Sequence, residues 1–188
     1  MSIEKINTGN STTLNPTTVN AVKQRYLSKK GLIILLTFLN AFVPMTTDLY
    51  LPALPQMVES FGTNAGIINS TLMVFFLFFG IAILFWGPVS DKYGRKPILI
   101  IGLVTYIIFS ILCALAPNAY LLIIFRMFQA IGSGAVVSAA LAMVKDIFEG
   151  RERIKILAIV QSMTLIAPVV APVIGALVLA FTSWRGIF

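Results

Sequence analysis

Gly87-Pro-Val-Ser-Asp-Lys-Tyr-Gly-Arg-Lys96 is a short polar stretch between two long apolar runs, and it decides how the chain is organised. Its charges are Asp91, Lys92, Arg95 and Lys96, all within six positions. Two glycines and a proline accompany these charges, a composition that predicts a tight turn rather than a helix interior. Three cations in a connection between membrane-length runs indicate that the turn faces the cytoplasm.

The composition of the whole chain is that of a membrane protein. Of its 188 residues, 58% are apolar and 11% are charged, whereas a soluble domain has about half apolar and about a quarter charged residues. The net charge of +7 does not indicate nucleic-acid binding, because the cations fall in short gaps between apolar runs and not along one face. The sequence therefore predicts an integral membrane protein surrounded by a lipid bilayer.

The chain offers few groups for metal, disulfide or histidine chemistry. It contains one cysteine, Cys113, inside an apolar run, and no histidine. One thiol builds neither a disulfide framework nor a metal cluster, so we expect no metal site and no cofactor. Without histidine, proton transfer near neutral pH depends on carboxylates. The sequence shows no nucleophile–base pair and no phosphate-binding loop, which argues against an enzyme.

Five apolar runs are long enough to cross a bilayer, and an open chain in lipid can satisfy its backbone only as helices. The polar residues 1–30 are expected to form a cytoplasmic tail. Residues 183–188 resemble a turn followed by the start of another apolar helix, so we expect residues 31–188 to form part of an N-terminal six-helix bundle in a longer protein. The predicted spans are, approximately, 32–54, 67–86, 98–116, 121–144 and 156–181.

The distribution of lysine and arginine predicts the orientation of the spans. Twelve of the fourteen lie in residues 1–30, 87–96 and 145–155. The alternate connections, 55–66 and 117–120, contain none. Because cytoplasmic loops carry the excess of lysine and arginine, we expect a multi-pass protein of the inner (cytoplasmic) membrane with its N-terminus in the cytoplasm.

Two charged residues lie inside predicted spans, Asp48 in the first and Arg126 in the fourth. A charge at mid-bilayer costs at least about 2.5–3.5 kcal/mol, so each needs a partner or a water-filled cavity. Both lie roughly 9–12 Å from the outer ends of their spans at about 1.5 Å per residue, so they could share one cavity. One interpretation is a fixed ion pair between two helices, or an acid close enough to the surface to be wet. The other is a role in substrate binding or proton coupling.

Polar residues near these charges predict a substrate cavity. Asn40 and Asp48 fall on one face of the first span, and Arg126 and Gln129 share a face of the fourth. Gln161 adds an amide in the fifth span. Methionine and aromatic side chains around a few polar groups suit bulky apolar ligands. The predicted cavity residues are Asn40, Met45, Asp48, Arg126, Gln129 and Gln161.

The fifth span combines small residues with prolines. Ala167, Ala171 and Gly175 recur every fourth position, which lets another helix approach closely. Pro168 and Pro172 remove two backbone donors and are expected to bend the helix. The bend is either plain packing or, in a protein that opens alternately to both sides, a pivot or seal.

Four motifs in this chain, taken together, resemble signatures of the major facilitator superfamily. Gly87-x-x-x-Asp91-Lys92-x-Gly94-Arg95-Lys96 resembles its loop signature between the second and third helices. Arg126 with Gln129-Ala130-Ile131-Gly132 resembles its fourth-helix signature. The Ala-Pro-x-x-Ala-Pro-x-x-Gly stretch at 167–175 is similar to the fifth-helix signature of its drug:proton antiporters. Asp48-Leu-Tyr-Leu-Pro-Ala-Leu-Pro55, with Ser183-Trp-Arg185, resembles the Bcr/CflA multidrug-efflux branch.

The resemblance implies a fold of twelve spans in two six-helix halves, with the substrate site between the halves. This chain would cover less than one half and would need the C-terminal half as its partner. The implied function is proton-coupled export of drugs or other small hydrophobic molecules by alternating access. Two alternatives stay open: transport of a metabolite by the same superfamily, and an inactive truncated protein or a subunit that needs partner chains.

The resemblance also implies roles for individual residues. Asp48 matches the first-helix acid whose protonation is exchanged for substrate, and Arg126 matches the fourth-helix arginine linked to proton coupling. Asp91 and Arg95 match a charge relay that holds the outward-facing state, partly by docking onto a helix of the C-terminal half. The conformational switch loop implied in this way comprises Gly87, Asp91, Gly94, Arg95 and Lys96.

Overall fold

The computed structural model describes residues 29–188, and every regular element in this part of the chain is helical. The predicted tail lies outside the described residues except for its last two positions. The all-α class is confirmed. The elements are α1 Lys29–Leu49, a 3-10 turn Leu51–Ala53, α2 Leu54–Phe61, α3 Ala65–Tyr93, α4 Arg95–Ala114, α5 Ala119–Ile147, α6 Gly150–Phe181 and a 3-10 turn Trp184–Ile187.

Within the described residues, five helical segments are long and apolar enough to cross a membrane, which confirms the predicted number of spans. The first segment combines α1 and α2, and the others are α3, α4, α5 and α6. Their outer surface is formed by large apolar side chains such as Leu84, which is 78% exposed, and Phe181, which is 87% exposed. Such a surface matches hydrocarbon, because a lipid-facing side chain needs no polar partner.

Helix α5 is the most enclosed of the spans, and its small residues allow α3 and α4 to pack closely around it. A Cβ added at Gly132 would lie 2.8 Å from the backbone nitrogen of Tyr106 and 2.9 Å from the carbonyl oxygen of Gly102. The backbones of α4 and α5 are therefore nearly in contact. This packing places the polar side chains of α5 inside the bundle and away from lipid.

Replacing Gly132 by alanine is expected to lower the stability of the bundle by about 1–3 kcal/mol, because the new methyl group meets backbone atoms that cannot move independently. Gly80→Ala in α3 is the matched control, since a Cβ there meets nothing within 4 Å. Thermal unfolding of the detergent-solubilised protein measures both variants. Equal unfolding midpoints for the two would contradict the close approach of α4 and α5.

Residues 87–93 are helical, so the predicted turn at 87–96 is wrong over most of its length. α3 continues through Pro88 to Tyr93, and only Gly94, with a φ of 94°, separates it from α4. A proline removes one backbone hydrogen bond and can kink a helix without ending it. The connection predicted at 145–155 is likewise mostly helical, with Phe148 and Glu149 alone between α5 and α6.

The first span, predicted as one run over 32–54, is interrupted near its outer end. α1 ends at Leu49 and the chain turns at Tyr50. Pro52 has no amide hydrogen, and the amide of Ala53 donates to the carbonyl of Tyr50 at 3.0 Å, which is the tighter 3-10 pattern. α2 then fills most of the 55–66 stretch that was predicted to be a loop, so only residues 62–64 connect it to α3.

The turn after α6 packs against α2 and ties the first span to the fifth. The backbone amide of Trp184 donates to Gln56 Oε1 at 2.7 Å, and its indole Nε1–H donates to Ser60 Oγ at 3.1 Å. The Trp184 ring lies 5.0 Å from the Phe61 ring and is 2% exposed. We call Gln56, Ser60 and Trp184 the outer clasp, because they lie at the ends of the spans that the charge distribution places outside.

Candidate functional site

Arg126 lies inside the bundle with only 3% of its surface exposed. Its guanidinium carbon is 4.1 Å from the ring centroid of Tyr50, 4.7 Å from that of Phe188 and 5.4 Å from that of Phe75. Within residues 29–188, no carboxylate forms a salt bridge with Arg126. Aromatic faces therefore take the place of a counter-ion around this buried cation.

A chain of hydrogen bonds extends from Arg126 to α4. Arg126 Nη1 donates to Gln129 Oε1 at 3.1 Å, and Gln129 Nε2 donates to Ser110 Oγ at 2.9 Å. The Ser110 hydroxyl donates to the carbonyl of Phe188 at 3.1 Å. Arg126 Nε has no partner among the described residues. Arg126 and Gln129, which were predicted to share one face of α5, are hydrogen-bonded to each other and both buried.

A cavity of about 200 Å³ surrounds this chain of bonds, and we call it the Arg126 cavity. α1 contributes Phe42 and Thr46 to its wall, one turn apart. A guanidinium, an amide and three hydroxyls make this cavity polar as well as aromatic. Its lining residues are Phe42, Thr46, Tyr106, Ser110, Arg126, Gln129, Ile187 and Phe188.

A second cavity, of about 240 Å³, lies on another face of α1, and we call it the Asn40 cavity. Asn40 is buried and donates its amide Nδ2 to the carbonyl of Leu36 at 2.8 Å, whereas Gln161 is exposed. Two phenyl rings, four aliphatic side chains, a proline and two threonines complete the wall, and none of its side chains is charged. Its lining residues are Asn40, Val43, Pro44, Thr47, Phe76, Phe79, Ile83, Val137, Leu141, Gln161 and Thr164.

The predicted cavity residues are therefore divided between two cavities. Arg126 and Gln129 line one, and Asn40 and Gln161 line the other. Asp48 and Met45 line neither, because they lie on a third face of α1 at helical spacing. The expectation that the two intramembrane charges share one cavity is not met.

Asp48 is partly exposed, one residue before α1 ends. In the described part of the chain no lysine or arginine forms a salt bridge with it, so the fixed ion pair with Arg126 is absent from this conformation. A carboxyl group without a cationic partner is free to change its protonation state when water reaches it.

Arg95 joins three helices at the end of the bundle predicted to face the cytoplasm. It forms a salt bridge with Asp91 of α3, and its Nη1 donates to Ser90 Oγ at 2.7 Å. Its Nε donates to Asp146 Oδ2 of α5 at 2.7 Å, and Nη2 reaches Asp146 Oδ1 at 3.5 Å. We call Asp91, Arg95 and Asp146 the Arg95 cluster. Lys96, which the resemblance includes in the switch, is exposed beside it.

Sequence reasoning missed Asp146 and Ser90 as partners of Arg95, and Tyr50 as a partner of Arg126. Asp146 lies 51 positions after Arg95, and a one-dimensional pattern carries no sign of that contact. A weaker signal was present for Tyr50, because it lies two residues after Asp48 in a motif that was singled out. Its ring faces Arg126 of α5 from the break after α1, and the sequence did not predict that break.

The small residues of α6 face α1, as their spacing predicted. Ala171 is fully buried, and a Cβ added at Gly175 would lie 2.6 Å from the carbonyl oxygen of Leu49. α6 is continuous from Gly150 to Phe181 and contains Pro168 and Pro172, and the bend expected from these prolines stays a prediction. Gly175 thus allows α6 to pack directly on the point where α1 ends.

Comparison with known proteins shows which family the sequence of this chain matches. A family model described as Major Facilitator Superfamily matches residues 36–188. A chloramphenicol resistance protein of Pseudomonas aeruginosa is 36% identical over 157 residues, which cover 83% of this chain and 38% of the relative. The multidrug resistance protein MdtL of Klebsiella pneumoniae is 33% identical over 145 residues, covering 77% and 37%. MdtL of Escherichia coli K12 shows the same identity and coverage. The chain therefore spans less than two-fifths of the length of these curated relatives.

Proposed function

Because this chain belongs to the Major Facilitator Superfamily, we propose that it is the N-terminal portion of a proton-coupled transporter that exports drugs or other small hydrophobic molecules. The observation that carries the proposal is the Asn40 cavity, an uncharged pocket between four spans. The names of the relatives, which refer to chloramphenicol and multidrug resistance, also support drug export as the function. Their greater length supports a C-terminal half as the partner that completes the substrate site.

The lining of the Asn40 cavity supports a small apolar substrate with a few hydrogen-bonding groups. Phe76 and Phe79 offer aromatic faces, and Asn40 and Gln161 offer amides. The hydroxyl of Thr47 already donates to its own helix at the carbonyl of Val43, at 2.6 Å, so the two amides are the principal polar groups. A mainly apolar wall with a few polar groups suits a small molecule that is held by apolar contacts and oriented by a few hydrogen bonds.

Asp48 and Arg126 are proposed to couple this substrate movement to protons. The chain has no histidine, and Asp48 is the one carboxyl group within its predicted spans. Arg126 holds a permanent positive charge, so it biases the local potential without exchanging a proton itself. Protonation of Asp48 from the outer side would favour release of the substrate, and deprotonation toward the cytoplasm would restore the site.

The Arg95 cluster is proposed to act as the conformational switch. A cavity beside it is lined by Gly87, Asp91, Arg95 and Asp146, in the position where a helix of the C-terminal half would contact this end of the bundle. Gly94 separates the two helices that carry Asp91 and Arg95, so the pair depends on the angle between α3 and α4. We propose that the cluster forms in one of the two transport conformers.

The proposed function is tested by transport in vesicles that contain the whole transporter. Radiolabelled chloramphenicol, chosen from a relative's name, is offered under an imposed pH gradient. We expect accumulation that requires the gradient and disappears when a protonophore collapses it. Accumulation that is indifferent to the gradient, or absent for uncharged aromatic drugs in general, would contradict proton-coupled drug export.

The proposed orientation places α2 outside and the Arg95 cluster in the cytoplasm. A cysteine at the exposed position Glu59 is expected to react with an impermeant thiol reagent added to intact cells, and one at Lys92 is not. The native Cys113 is fully buried and gives little background. Labelling of Lys92→Cys but not of Glu59→Cys would reverse the topology. Permeabilised cells, in which both cysteines react, are the control.

A further inference from the structure

The charge of Arg126 is held inside the bundle without a carboxylate, and the structure shows what holds it. The titratable groups around it are Tyr50, Tyr106 and Cys113, from the turn after α1 and from α4. A guanidinium removed from water needs compensation, which here comes from an amide and from aromatic faces. The nearest of those faces, at 4.1 Å from the guanidinium carbon, is the ring of Tyr50.

Tyr50 is itself fixed at both ends. Its ring is fully buried, and its hydroxyl lies 2.8 Å from Thr71 Oγ1 of α3. The Thr71 hydroxyl donates its single hydrogen to the carbonyl of Ile68 at 2.5 Å, so the Tyr50 hydroxyl is the donor in their shared bond. This bond anchors the far end of the ring to α3 and keeps its face against Arg126.

The backbone of Tyr50 connects the same ring to the outer clasp. Tyr50 lies at the break between α1 and the 3-10 turn that leads into α2. It belongs to one buried cluster with Met57 of α2 and with Trp184, whose amide and indole nitrogens bond to Gln56 and Ser60. A shift of the outer end of the first span therefore moves the ring that faces Arg126.

We propose that Tyr50 is the positioning residue that holds the Arg126 guanidinium through its aromatic face and transmits movement of the outer clasp to it. The inference rests on the proposed function, because it concerns an arginine to which that function gives a role in coupling. Under this proposal, Tyr50 connects Arg126 to the outer clasp, which joins the outer ends of the first and fifth spans. Asp48, two residues before Tyr50 and on the α1 side of the break, would be reached through the same turn.

Fluorinated phenylalanines at position 50 test the proposal, because fluorine weakens the negative face of the ring while changing its shape little. Tyr50→Phe keeps the ring and loses the bond to Thr71, and it serves as the reference. In the whole transporter, proton-driven chloramphenicol export and the thermal midpoint are expected to fall stepwise as the number of fluorines on the ring at position 50 rises from none to three. The total loss of export is expected to be about tenfold or more, as for removal of one desolvated cation–π contact.

The same substitutions at Phe181 are the matched control, since this side chain is 87% exposed toward lipid. We expect no stepwise trend there. Absence of a trend in both export and thermal midpoint at position 50 would overturn the assignment of Tyr50. A trend in thermal midpoint, with no gradient-driven export in any variant or in the unmodified protein, would overturn the proposed function and leave Tyr50 as the residue that holds Arg126.

Discussion

Replacing Asp48 by asparagine is expected to abolish proton-driven export while leaving the protein folded. Asparagine has nearly the same shape as aspartic acid and cannot ionise, so it resembles a permanently protonated side chain. In the described residues Asp48 has no cationic partner, and the substitution therefore breaks no salt bridge. Gradient-driven export should fall to the level of vesicles without protein, whereas downhill exchange of an uncharged substrate should persist.

Substrate binding measured between about pH 5.5 and 8.5 separates Asp48 from other acids. The wild-type protein is expected to bind in a pH-dependent way, and Asp48→Asn is expected to bind equally across the range. Glu59→Gln in α2 is the matched control, because it removes the same charge from an exposed position. If Asp48→Asn keeps the wild-type pH dependence, another group exchanges the proton.

Replacing Arg95 by glutamine is expected to reduce transport about tenfold or more, since a bias of about 1.4 kcal/mol between two conformers changes their ratio tenfold. The loss of stability should be small. Asp91 and Asp146 are 64% and 51% exposed, and ion pairs with such exposed partners contribute about 1 kcal/mol or less. A large effect on transport with a small effect on the thermal midpoint is the expected signature of a switch.

Asp146→Asn should reproduce part of the Arg95→Gln effect, because it removes the contact to α5 and leaves the one to Asp91. Lys96→Gln is the control, since Lys96 is an exposed neighbour of Arg95 with the same charge. Transport rate and unfolding midpoint are measured for all three variants. A Lys96→Gln defect as large as that of Arg95→Gln would mean that transport depends on the net positive charge of this region and not on the contacts of the Arg95 cluster.

The number and order of the spans were predictable from the sequence because each depends on local composition. A run of apolar residues long enough for a bilayer has one compatible structure, the helix. Local composition gave wrong predictions for the turns at the ends of the spans. Gly87 and Pro88 predict a turn, yet both lie inside α3, which ends at Tyr93; the break is the following Gly94, with its positive φ.

The candidate site was predictable as a set of residues and not as an arrangement. Asn40 and Arg126 were predicted to be cavity residues because a polar side chain within a span is costly unless it faces a partner or a water-filled cavity. They line different cavities because of how α1 is rotated against its neighbours, which no periodic pattern reveals. The contact between Arg95 and Asp146 depends on how α4 and α5 pack, and a linear sequence pattern does not show that packing.

The charges of the Arg95 cluster also oppose the dipoles of the helices that carry them. Arg95 is the first residue of α4, whereas Asp91 and Asp146 lie in the last turns of α3 and α5. Each charge therefore lies at the helix end that has a partial charge of its own sign, at a cost of about 0.3–1 kcal/mol apiece. The attraction between Arg95 and the two carboxylates offsets this cost, and removal of Arg95 leaves both carboxylates at helix ends of like sign. We therefore expect the contacts of the Arg95 cluster to be cooperative, as the proposed switch between two conformers requires.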